Sequence, residues 1–102
     1  MSVDDLYRTV MVVAPPDGES PLDAAERNHL LGDIWSRPGL SIRDRRFVTI
    51  VCASAAVDVG AIDAHVYAAL ASGDLTIEQM NELTLHFAVY SDVATQWQAD
   101  QP

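Results

Sequence analysis

From Ile77 onward, apolar residues return at steps of three and four: Ile77, Met80, Leu83, Phe87, Tyr90, Ala94 and Trp97. That spacing draws one stripe along an α-helix, with Asp74, Glu78, Glu82 and Asp92 mostly off it, and predicts a helix over 77–98. A second pattern fills "IRDRRFVTIVCASAAVDV", which is apolar on nearly every face after Arg46. Helices of that kind sit in the middle of a fold. It predicts a helix near 42–58, followed by another near 61–72 and preceded by one near 21–36. A short N-terminal helix covers about Val3 to Val12. "VMVV" at 10–13 has the composition of a short strand but no partner, and no alternating run appears elsewhere.

The breaks between these patterns carry capping chemistry. Ser20 precedes Pro21 and Asp23, Ser41 precedes Asp44, and Thr76 precedes Gln79. In each, a hydroxyl can take an amide proton of the first turn, and the later polar side chain can reach back or favour the positive helix end. Pro38-Gly39, Gly60 and Gly73 read as stops, and "APPDGES" as a loop. The expected fold is all-α, a single domain over 1–102 of about five helices, with residues 1–20 peripheral to a core at 21–98.

Composition changes this picture in one respect. A chain of 102 residues buries only about two-thirds of its unfolded surface when folded alone. Yet 49% of these residues are hydrophobic. No run approaches the roughly 18 apolar residues of a membrane span, so the surplus points to a homo-oligomer. The formal charge of −9 and the lack of a basic stripe argue against nucleic acid. "MSVDDLYRTV" carries no charged-then-apolar signal pattern, which leads to the expectation of a cytoplasmic protein.

Candidate chemistry lies in the histidines and arginines. His65 and His86 sit in apolar helical segments. Such residues are either half-buried and hydrogen-bonded to a neighbour, or a pair of general acids and bases meeting in a pocket between helices. His29 follows Asn28 in a polar stretch and reads as a surface residue. All six basic residues are arginines, and Arg37, Arg43, Arg45 and Arg46 crowd one bend. Cations are disfavoured in the first turns of a helix, so acids such as Asp33 and Asp44, or acids of another subunit, should compensate them. One of Arg43, Arg45 and Arg46 could instead hold a substrate carboxylate in a two-pronged contact. Cys52, among valines and alanines, reads as a core residue. No metal-ligand spacing occurs, and no metal is expected.

"GDIWSRPGL", "RDRRFVTI", the histidine of "AHVYAAL", "SGDLTIEQMNEL" and "LHFAVY" follow one another in an order that resembles the carboxymuconolactone decarboxylase family, within the alkylhydroperoxidase D-like fold. The resemblance covers about residues 31–95 and implies an all-α protein that forms trimers or hexamers. In the family's peroxidase-like branch a C-x-x-C pair precedes the histidine. Here Asp58 and Ala61 occupy those positions and Arg46 that of a glutamate, so thiol-based peroxide reduction is disfavoured. The resemblance to the other branch implies a decarboxylase-like lyase that needs no cofactor and acts on a small carboxylated lactone or enolisable acid. It points to His65 as leading proton donor and His86 as second, and to Arg43, Arg45, Arg46, Trp35 and Tyr90 around the substrate. Asp92 and Ala94 replace the glycine and proline usual after the tyrosine. A non-catalytic binding or scaffold relative, or an isomerase reusing the pocket, are the alternatives.

Overall fold

The computed structural model describes residues 2–100. The described residues form five α-helices: α1 (Val3–Met11), α2 (Pro21–His29), α3 (Ile42–Ala55), α4 (Val59–Ala71) and α5 (Ile77–Ala99). A π-helical turn, Leu30–Ile34, prolongs α2. No strand occurs among the described residues, so "VMVV" ends α1 and enters a loop. None of these helices is long and apolar enough to cross a membrane.

The expected caps are in place. Ser20 accepts from the Asp23 amide, and Ser41 from the Asp44 amide. Thr76 and Gln79 bond each other's backbone in both directions, a complete capping box. Gly73 ends α4 at φ 78°, the left-handed backbone that glycine adopts freely. Gly60, however, is no stop. The chain turns at Val57, whose φ is 55°, and the Asp58 carboxylate then caps α4 by accepting from the Ala61 amide. A β-branched residue rarely adopts this backbone, which is why the pattern pointed to the nearby glycine instead.

The helices pack around two small apolar clusters. One joins Val10, Leu31 and Trp35, with Leu6, Tyr7 and Ile42 against them. The other joins Ile50, Ala69 and Leu75, with Phe47, Met80 and Leu83 against them. Val10 is fully buried, so α1 packs its inner face into the first cluster. Gly32 admits it: a Cβ there would stand 3.3 Å from Val3 Cγ2. Cys52 is exposed on the outer face of α3, contrary to the expectation of a core thiol.

Helix α5 follows its stripe only in part. Met80, Leu83 and Phe87 are half-buried against the chain, whereas Ile77, Tyr90 and Trp97 are exposed. None of its described residues is fully buried. A second row, Leu85, Val89 and Val93, also faces outward. The radius of gyration is 15.6 Å, against about 13 Å for a compact domain of this length.

Arg46 links the two clusters. Its side chain is 1% exposed. Nε donates to Asp74 Oδ2 at 2.8 Å, Nη1 to the Val10 carbonyl at 2.6 Å and Nη2 to the Thr9 carbonyl at 3.1 Å. Those carbonyls belong to the last turn of α1, where no further turn supplies an amide. Breaking a buried ion pair by removing one partner is costly, though the Asp74 side chain is 34% exposed and the loss is reduced accordingly. Arg46→Ala is expected to lower unfolding free energy by about 2–4 kcal/mol in urea denaturation, and Asp74→Asn by less, because the carbonyl bonds survive. Equal losses would contradict the bridging role of the two carbonyls.

Candidate functional site

His65 lies on α4 and faces the first cluster across the seam between the two. Its ring stacks on Trp35, 6.0 Å between centroids and 4° from parallel. Trp35 is itself 8% exposed and follows the π-helical turn directly. Its amide reaches back five residues to the Leu30 carbonyl at 2.8 Å. Such turns are rare and recur at functional sites. Here the widened turn delivers the indole to the imidazole.

A cavity of about 560 Å³ opens beside this pair, and Tyr7, Met11, Glu19, Arg27, Leu31 and Glu26 contribute to its walls. The Nδ1 of His65 is sealed from solvent and has no hydrogen-bond partner. Burial pushes the His65 pKa below its ordinary value of 6.5, and the nearby positive charge of Arg46 adds to the effect. Both penalise the imidazolium, so His65 rests neutral at neutral pH.

His86 is not part of this site. It is exposed on α5, stacks on Tyr90 at 4.6 Å, and lines a separate apolar groove of about 590 Å³ with Phe47, Val51, Leu83 and Phe87. The two histidines therefore line different cavities instead of meeting in one. His29 is a surface residue, its Nδ1 3.8 Å from Asp33.

The arginines of the bend are engaged with the protein itself. Arg37 pairs with Asp33 at 3.1 Å and holds that carboxyl below its ordinary pKa, so Asp33 compensates it as expected. Arg43 donates to the Asp74 carbonyl at 3.0 Å and lies over the Phe47 ring. Arg45 Nη2 donates to the Arg37 carbonyl at 3.0 Å, while its Nε is buried without a hydrogen-bond partner and away from the His65 cavity lining. Arg46 is spent on Asp74, Thr9 and Val10. None of Arg43, Arg45 and Arg46 lines the His65 cavity. The guanidinium that does is Arg27, on α2. Sequence reasoning passed over it, yet Arg27, Leu31 and Trp35 stand four residues apart on one helical face.

Residues 21–101 match the family model of the carboxymuconolactone decarboxylase family. Neither the curated proteins nor the solved structures searched contain a match.

The lowered His65 pKa has a consequence for stability. Its folded value lies below the unfolded one, so the stability tied to the neutral ring is present above about pH 6.5 and lost as pH falls through the folded value. An NMR titration should find the His65 ring changing state below its ordinary range, and His65→Gln should flatten the acid loss of stability below about pH 6.5. A ring titrating at or above its ordinary value would contradict the burial described.

Proposed function

The chain belongs to the carboxymuconolactone decarboxylase family, and on that premise we propose that it is a cofactor-independent, decarboxylase-like lyase acting on a small carboxylated lactone or other enolisable acid. One observation carries the reading: an imidazole with a buried, unpartnered Nδ1 stands against Trp35 in a cavity of about 560 Å³.

The chemistry follows from charge. Decarboxylation breaks the bond between the carboxylate and its neighbouring carbon. Carbon dioxide leaves, and the bonding pair stays behind as an enolate conjugated with the lactone carbonyl. That enolate needs a proton. An anionic substrate beside His65 offsets the penalties that keep the ring neutral, so the ring takes a proton from solvent as the substrate binds. The imidazolium then delivers it to the enolate and returns to its resting state. Trp35 walls the cavity and limits the water that would solvate the carboxylate.

A non-catalytic binding role is favoured by a different observation, the engagement of Arg43, Arg45 and Arg46 with protein acceptors. Turnover separates the two. His65→Gln should cut the decarboxylation of a lactone acid by about 10²–10⁴-fold, the range for a lost acid–base group, while His86→Gln stays within tenfold. Evolution of no carbon dioxide from any of a series of such acids would remove the lyase reading.

We also infer that the chain works as a cytoplasmic homo-oligomer. The exposed row Leu85, Val89 and Val93 on a helix with no fully buried residue supports it, as does the extended radius of gyration. Sedimentation of the wild-type chain should give a multiple of 11.1 kDa. Val89→Glu with Val93→Glu should shift the population towards monomer, and a monomeric wild type at micromolar concentration would contradict the inference.

A further inference from the structure

The His65 cavity contains one guanidinium among its described lining residues, and that group is only half engaged. Arg27 Nη1 lies 3.0 Å from Glu19 Oε1 and 3.4 Å from Asp4 Oδ1, so two carboxylates converge on one nitrogen. Nε is buried and has no hydrogen-bond partner. The guanidinium carbon stands 5.9 Å from the centre of the Tyr7 ring, which fixes the side chain against α1. A buried donor left unpaired costs free energy, and a planar fork is made to meet a carboxylate through two nitrogens at once.

Glu19 differs from the other acids nearby. Its side chain is 16% exposed, whereas Asp17, Asp23 and Glu26 are exposed at the rim, where water screens them. Asp4 is 57% exposed and screened likewise. Glu19 also sits in the loop between α1 and α2, outside any helix, beside Gly18 at φ 72°. Its movement breaks no helical hydrogen bond.

We propose that Arg27 is the carboxylate-holding residue of the His65 cavity and that Glu19 occupies it as an internal stand-in, so that a ligand enters by exchanging its carboxylate for that of Glu19. The proposal rests on the reading above only in taking the ligand to be an acid. It gives the cavity an anion site even though the arginines of the bend are committed elsewhere. It also gives the loop a role: an acid that releases Glu19 frees the guanidinium to turn and present Nε, whereas a neutral analogue does not.

Benzoate and benzamide, which share a flat ring suited to Trp35 and Tyr7 and differ in charge, test this through the NMR shift of the Trp35 indole N–H. Arg27→Gln should weaken benzoate about tenfold and leave benzamide within about twofold. Glu19→Gln should tighten benzoate about fivefold or more, since its carboxylate no longer competes. In the Arg27→Gln background, Glu19→Gln should change benzoate affinity by less than about twofold. Arg27→Lys should recover only part of the loss, because a point charge lacks the fork.

Several results would overturn the exchange. One is no benzoate binding at all; another is equal weakening of benzoate and benzamide by Arg27→Gln. A third is an undiminished Glu19 effect without Arg27, which would mean plain charge repulsion. Failure of the lyase reading looks different: benzoate binding through Arg27 would persist while no acid is turned over.

Discussion

A guanidinium buried to 1% exposure holds this fold together. Arg46 starts on α3, at the junction where Ile42 belongs to one apolar cluster and Ile50 to the other. Neither cluster is large; each has three buried apolar residues. Arg46 ties α1 to the α4–α5 turn by spending its donors on the final turn of α1 and on Asp74. A buried charge is only weak evidence of net stability, because desolvation offsets much of its attraction. What it supplies is geometry: one arrangement of three segments satisfies the group, and any other leaves a charge stranded in an apolar setting.

The same charge reaches into the site. His65 stands at the seam that Arg46 clamps, and the positive charge adds to burial in disfavouring the imidazolium. Trp35 comes from the first cluster and His65 from the helix that bears the second, so the stacked pair exists only while the two halves stay in register. The structural clamp and the state of the catalytic candidate are therefore one arrangement. A substitution at Arg46 would alter the proton affinity of His65 even if the chain stayed folded.

How far the sequence revealed this depended on range. Caps at Ser20, Ser41 and Thr76 involve residues three apart, and each was legible from its own few letters. The turn at Val57 was not, because a β-branched residue stands in a left-handed backbone that local preference assigns to glycine. The arginines mark the limit more clearly. Their acidic partners were sought nearby, and Asp33 fits that search. Asp74 lies 28 residues from Arg46, and the Thr9 and Val10 carbonyls lie 37 and 36 away. No spacing rule connects them. His65 and Trp35 were legible as candidates, but their sharing a cavity with Arg27, and not with His86, depended on how the helices turn about their axes. The four-residue steps from Arg27 to Trp35 were the one available signal.

Separate cavities for the two histidines suggest how an acidic, apolar chain divides its surfaces. The groove along α5 is walled by Phe47, Val51, Leu83 and Phe87, and shape is nearly all it offers a partner. The cavity at His65 has the opposite character, with a guanidinium, several carboxylates and a neutral imidazole around two aromatic rings. Apolar area drives association without regard to direction, whereas a few placed polar groups select a ligand. The chain has six cations, and four of them cluster at one bend on structural duty. With the net charge at −9, an anion approaching the protein meets repulsion almost everywhere. Arg27, on the same face as Trp35, is the guanidinium that lines the His65 cavity, which is why the proposed carboxylate site is placed there.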